Sequence, residues 1–246
     1  MKIVLMALVA LLLLPCAAQQ SEECPPGPEY SLLATEVPTS NSDDPKEFGP
    51  VVSPDGRKSL TVKHILYKDD DGLLLKFLVD GREVARKEDS ANGAEILWSP
   101  DSNYVAVTTT WCCSGFGGGY LLLYRVDGRR LRRYEVSGTI IDAFQTVVKC
   151  ELKTDSLLRT AAVVWLAPDR LLVIAHVVRV SVCDSTGLFE AYEVTVPDFR
   201  IVTRYNQVEA KEKFWTSMGC GLRIANDECV RNPKSCWQTD LHPETK

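Results

Sequence analysis

Val52-Ser53-Pro54-Asp55-Gly56-Arg57 returns as Trp98-Ser99-Pro100-Asp101-Ser102-Asn103, and forty-six residues separate Asp55 from Asp101. A repeat of this length is one supersecondary unit, able to bury its apolar face only against neighbours of the same kind. Each copy is followed by a second landmark, Val79-Asp80-Gly81-Arg82 and then Val126-Asp127-Gly128-Arg129. A looser third copy reads Trp165-Leu166-Ala167-Pro168-Asp169-Arg170, with Val196-Pro197-Asp198-Phe199 in the second position. Ser-Pro-Asp suits a type I turn, because proline presets φ at the second residue and Asp tolerates the third. Val-Asp-Gly-Arg suits a two-residue hairpin, in which Asp-Gly takes positive φ. Each repeat thus predicts about four antiparallel strands, in an all-β chain.

The amino terminus speaks to the compartment. Met1-Lys2, the apolar run Ile3 to Leu14 and the exit Pro15-Cys16-Ala17-Ala18 have the form of a secretory signal peptide over residues 1–18. A membrane helix needs roughly 20 apolar residues. The later apolar stretch, Ala161 to Val180, is broken by Pro168-Asp169-Arg170 and predicts two strands around a turn rather than a membrane span. A secreted or periplasmic chain without a transmembrane helix in its mature form is expected. Leu13-Leu14-Pro15-Cys16 loosely resembles a bacterial lipoprotein box, which would place a lipid anchor on Cys16, although Pro15 departs from the small residue such a box wants. With or without that anchor, Cys24, Cys112, Cys113, Cys150, Cys183, Cys220, Cys229 and Cys236 remain as an even set of disulfide candidates.

Charge narrows the partners. A net charge of -5 with 25% charged residues excludes nucleic acid as the main one, since phosphate neutralisation needs dense positive charge. A local basic cluster, Arg125, Arg129, Arg130, Arg132 and Arg133, flanks the Asp127-Gly128 turn and reads as a solvated hairpin arm.

The chain divides into an extended leader over residues 19–47, repeats over 48–206 and a cysteine-rich cap over 207–246. The leader is rich in Pro, Ser, Glu and Asp. Sixty-eight residues separate Asp101 from Asp169, and the surplus falls near 142–158. There Ala143, Phe144, Val147, Val148 and Leu152 follow helical spacing and predict an inserted amphipathic helix, with a strand pair as the competing reading.

The Trp-Ser-Pro-Asp pattern with its apolar flanks, Ile96-Leu97-Trp98-Ser99-Pro100-Asp101-Ser102-Asn103-Tyr104-Val105-Ala106-Val107, resembles the repeats of TolB-type β-propellers, bacterial relatives of the Trp-Asp repeat. The resemblance implies one four-stranded blade per repeat and loops presented to protein or small ligands. Propellers typically close with four to eight blades, and about three are visible here, so a small or incompletely closed array is expected. Either residues outside the repeats complete a ring or the sheets pack as an open stack. A disulfide from Cys24 to Cys220, Cys229 or Cys236 would clamp the chain ends.

No residue set points to a reaction with comparable clarity. The loop Trp111-Cys112-Cys113-Ser114-Gly115-Phe116-Gly117-Gly118-Gly119-Tyr120 lacks the Gly-Lys-Ser/Thr of a phosphate cradle. It reads as a wide hairpin loop whose cysteines anchor it elsewhere, for instance to Cys150 and Cys183. Metal ligation is not expected, because no Cys-x-x-Cys pair with histidine support occurs. Asp69-Asp70-Asp71-Gly72 lacks the alternating acids of a calcium loop, and His64 and His176 sit in strand-like apolar surroundings. No cofactor is implied. The reading that results is a non-catalytic scaffold binding an envelope or extracellular protein, with Trp111, Phe116 and Tyr120 as aromatic contacts. The alternatives are a hydrolase of envelope polysaccharide or peptide, marked by two acids in a deep pocket, or an inhibitor or immunity-type protein.

Overall fold

The computed structural model describes residues 27–38, 46–68, 70–110, 120–128, 130–136, 138–148, 158–177 and 188–223. A short strand, β1 (Thr35–Val37), precedes the first sheet, the meander β2 (Glu47–Val52), β3 (Lys58–Tyr67), β4 (Asp70–Val79) and β5 (Arg82–Asp89). The second sheet holds β6 (Gly93–Trp98), β7 (Tyr104–Thr110), β8 (Leu121–Asp127) and β9 (Arg130–Glu135), with β1 on the outer side of β6. Helix α1 (Gly138–Gln145) leads to the third sheet, β10 (Leu158–Ala167), β11 (Arg170–Val177), β12 (Phe189–Thr195) and β13 (Ile201–Tyr205). Helices α2 (Gln207–Phe214) and α3 (Cys220–Arg223) complete the described chain. Every strand pair is antiparallel, and among the described residues no helix is long and apolar enough to cross a membrane.

The three sheets stack in chain order. Leu60, Val62, Leu75 and Phe77 of the first meet Ile96, Val105, Val107 and Leu122 of the second in one buried cluster. On its other face the second sheet sends Leu97, Ala106, Leu121 and Leu123 against Ala162, Leu171, Val173 and Tyr192 of the third. The hydropathy of the strands follows from this order. In β3 apolar and polar residues alternate, Leu60-Thr61-Val62-Lys63, because the first sheet is covered on one face. Strand β6 is buried at every position, since the second sheet is covered on both. Each side chain as fully enclosed as Leu60 or Val107 contributes about 1.5–3 kcal/mol.

A closed ring does not form among the described residues. The far face of the third sheet is covered instead by Tyr30 and by the helical segment after β13, with Ala210, Phe214, Met218 and Leu222 packed on Leu172, Ile174 and Phe189. Helix α2 is started by Asn206 and Glu209 in a reciprocal capping box.

The repeat is a device for joining sheets. The Trp98 indole N–H donates to the Val51 carbonyl at 3.1 Å, reaching from the second sheet to the first. One repeat later, the Trp165 indole N–H donates to the Leu97 carbonyl at 3.2 Å. Val51 immediately precedes Val52, the position matching Trp98, and Leu97 precedes Trp98, so donor and acceptor occupy the same places in successive repeats. The third copy carries one extra residue between its tryptophan and proline, and a bulge between Trp165 and Ala167 absorbs it. In the first copy Val52 is half exposed, with no earlier sheet to join among the described residues.

The turns behave as their composition predicts, with one shift. Ser53 and Ser99 each donate to the Asp two residues on, at 2.6 Å, and the backbone N–H groups of Lys58 and Tyr104 donate to those serine hydroxyls. Neighbouring turns also interlock: the Asp55 N–H donates to Ser102 Oγ at 3.0 Å, and Lys58 Nζ to the Ser102 carbonyl at 2.7 Å. Val79 pairs with Arg82 around Asp80 and Gly81, at φ 49° and 74°. In the second copy Asp127 itself pairs with Arg130, so the turn moves on by one residue and Gly128 takes the positive φ.

The leader is more ordered than its composition suggests. Thr35 to Val37 pair with Ile96 to Ala94 along the β6 edge, and Ser31 bridges Met218. Just before them, the backbone N–H groups of Glu29, Tyr30 and Ser31 donate to the buried Glu95 carboxylate at 2.5, 2.9 and 2.9 Å. Ser31 Oγ then reaches the Val163 carbonyl at 2.6 Å. This segment thereby ties the second sheet to the third and lies against residues 217–220. At Gly219 a Cβ would stand 2.4 Å from the Glu29 backbone, so only glycine admits this approach.

Two further expectations meet the structure here. The inserted helix exists but runs Gly138–Gln145, earlier than 142–158. It buries Ile140 and Phe144, and the Thr146 N–H and hydroxyl both turn back to the Ala143 carbonyl, ending it before Val148 packs into the core. Leu152 lies outside the described residues. So do residues 1–26, with the signal segment, Cys16 and Cys24. Cys220 is the one cysteine among the described residues and is disulfide-bonded, and its N–H donates to the Pro28 carbonyl at 3.3 Å.

Trp98→Phe and Trp165→Phe are expected to lower the unfolding free energy by about 1–2 kcal/mol each, for one lost hydrogen bond and an orphaned carbonyl. Their effects should add, since they lie in different seams; urea unfolding of both single variants and the double checks this. Glu95 yields a pH signature. Burial pushes its carboxyl from 4.5 up to about 7, outweighing the three N–H donors that pull it down. A raised folded pKa means a contribution to stability present below about 4.5 and lost as pH rises through about 7. Relative to the parent, Glu95→Gln should gain about 2–3 kcal/mol between pH 5 and pH 8, read from urea midpoints across that range.

Candidate functional site

The meander topology sorts the connections. Turns 53–57, 80–81, 99–103, 168–169 and the 196–200 loop lie at one end of the sheets, where the Asp55–Ser102 contact joins them. The connections from β7 to β8, from β9 to β10 and from β11 to β12 all leave from the other end. These three are the long ones. They contain residues 111–119, 149–157 and 178–187, which with Trp111, Phe116, Cys112, Cys113, Cys150 and Cys183 lie outside the described residues. Cys229, Cys236 and His242 also lie outside them.

Tyr120 is the described part of the predicted contact loop, and it stands at the base of that loop. Its N–H donates to Thr109 Oγ1 at 3.3 Å, and its carbonyl accepts from the Thr109 N–H at 3.1 Å, closing the hairpin. Its ring spans the first seam, where the phenol donates to Asp89 at the end of β5. Asp89 is 5% exposed and Tyr120 38%, so a buried acid is screened by a phenol with one face in solvent. Burial, and then the bond to Asp89, raises the Tyr120 phenol above its ordinary range. Two residues along the same face the Tyr124 phenol is raised by burial, and its hydroxyl has no hydrogen-bond partner among the described residues. Arg133 and Glu135, paired at 2.9 Å on β9, complete the polar surround.

Other candidates resolve into structural roles. His64 packs edge-on to Phe48 at 5.4 Å, and His176 lies 5.9 Å from the Tyr30 ring. Asp70 and Asp71 belong to β4, opposite Tyr67 and Leu66. Among the described residues no group of three His, Cys, Asp or Glu side chains is placed to hold a metal. The two most enclosed glutamates are committed: Glu95 to the leader, Glu190 to Arg204 at 2.7 and 3.0 Å and to the Tyr192 hydroxyl at 2.7 Å. A wide-open depression of about 460 Å³ lies beside α2, lined by Arg204, Tyr205, Glu209, Glu212 and Lys213.

Sequence reasoning missed Asp89 and Glu95. Asp89 follows a run of charged residues, Arg86-Lys87-Glu88, that reads as solvated. Glu95 had a signal, a single charge inside the otherwise apolar Ala94 to Trp98, where a buried acid needs a partner.

Tyr120→Phe is expected to cost about 1–3 kcal/mol, because it leaves the buried Asp89 without its phenol donor. A double-mutant cycle with Asp89→Asn should show coupling of at least about 0.5 kcal/mol; additive losses would mean that the two groups act independently. Comparison with protein families gives no match for this chain, and comparison with curated proteins gives none either.

Proposed function

We propose that this chain is a non-catalytic protein-binding scaffold acting outside the cytoplasm, a propeller-like array of TolB-type repeats reduced to three blades. One observation carries the reading: the three long connections leave from one end of the stack of sheets, the end at which Tyr120 stands half-exposed. Loops held on such a stack are a recognition surface, and rigid aromatic anchors supply most of the affinity in contacts of this kind. Trp111 and Phe116 belong to the same loop and are proposed as its further anchors. The signal-like amino terminus and the even cysteine set favour an oxidising compartment, the periplasm or the exterior. A hydrolase would need two acids sharing a pocket, whereas the enclosed glutamates here serve the leader and Arg204.

A photo-reactive phenylalanine analogue at position 120, in the intact chain in its native envelope, should yield one dominant protein adduct. The same group at position 57, at the opposite end, should not. Trp111→Ala/Phe116→Ala should abolish the adduct while leaving the unfolding midpoint unchanged. Equal labelling from both positions, or none from 120, would rule this surface out.

A further inference from the structure

The opposite end of the stack carries a second feature that the scaffold reading does not use. Tyr104 of β7, Arg125 of β8 and Arg132 of β9 are direct cross-strand neighbours, in one row on the face of the second sheet that looks toward the third. Across the seam, the Trp165 ring of the third sheet stacks on Tyr104 at 6.2 Å. The Arg125 guanidinium lies 5.9 Å from the centre of the Tyr104 ring. Arg130, two residues before Arg132, projects from the same face of β9.

Two arginines facing each other across a ladder destabilise it, where an acid opposite either one would contribute stability. One acid, Asp127, lies among them: it is 3.9 Å from Arg125, largely exposed, and directly opposite Arg130 across the ladder, which leaves Arg132 facing only Arg125. Arg130 and Arg132 form no ion pair among the described residues, and Arg170 on the neighbouring sheet is occupied by Glu193 at 2.7 Å. Charge on β9 alone would be ordinary protection of an edge strand against pairing. Arg125 is not on an edge, because β8 lies between β7 and β9, so edge protection does not account for it. Local rules are broken in this way at functional or strained sites.

We propose that Arg125, Arg130 and Arg132, backed by Tyr104, form a binding site for a phosphate or sulfate group. Guanidinium forks match the geometry of such oxyanions, and aromatic stacking of Arg125 restricts one fork in advance. The group is either a free anion or a lipid headgroup. The site lies at the end of the sheets away from Tyr120, so it leaves the protein-binding surface accessible.

The test is the thermal midpoint of the intact chain in inorganic phosphate against chloride at matched ionic strength. The parent should gain about 3 °C at ten times the dissociation constant. Arg132→Gln should abolish that gain and should itself raise the midpoint in chloride by about 1–3 °C, because it relieves the like-charge pair. Arg82→Gln, removing another exposed arginine, should leave the phosphate response intact. A parallel arm measures sedimentation with phosphatidylcholine vesicles holding phosphatidylglycerol: binding lost in Arg132→Gln assigns a lipid headgroup, and a phosphate response without it assigns a free anion. The proposal falls if phosphate does not raise the parent midpoint, if Arg132→Gln keeps the full response, or if that variant is less stable than the parent in chloride.

Discussion

An apolar sheet face has to be covered, and this chain covers its faces through one repeated contact. The indole N–H at the head of each later repeat bonds a carbonyl in the sheet before it, Trp98 to Val51 and Trp165 to Leu97. The bond is modest in energy but directional, whereas the apolar contacts around it are not. It fixes how far each sheet slides over the last. That registration brings Leu60 and Val107 into one buried cluster, Asp55 beside Ser102 and Asp89 within reach of Tyr120. The candidate contact surface and the arginine row both depend on it, since each is positioned by strands from the sheets so aligned.

The stack has two unlike ends. The first sheet turns Thr61, Lys63 and Lys76 outward, with Lys76 paired to Glu47 at 3.2 Å, and so tolerates water on that face. The third sheet is apolar on both faces and is covered by α2 and by the leader. Holding the leader there requires a carboxylate in the interior. Glu95 meets three backbone N–H groups, a concentration of donors that ordinarily favours an anion, yet burial dominates and keeps the group near its midpoint at neutrality. The junction of residues 29–31 with the second sheet is therefore sensitive to pH near neutrality.

The repeat units were legible in the sequence because their turns are specified locally. The side chains of Ser53, Asp55, Ser99 and Asp101 bond partners within five residues to shape each turn, so composition reports the turns directly. The strands around Pro168 and the helix near Phe144 were legible for the same reason, through hydropathy period. What escaped depends on distant partners. Residues 29–37 look like a polar leader until Glu95, some sixty-five residues away, takes up their N–H groups. Asp89 reads as one more charge in a solvated run until Tyr120 covers it. In the candidate site, Tyr120 was visible as an aromatic beside a glycine-rich loop, and its acid was not.

The half-exposed Val52 has a meaning beyond its own surroundings. Donor and acceptor recur at fixed places in the repeat, so the stack has a direction, as a polymer with unlike head and tail has. The joining bond needs an indole on the later sheet, and at position 52 the chain has a valine. The first repeat is thus a head without the joining donor: it shares the Ser-Pro-Asp turn of the next and lacks the group that would bond a predecessor.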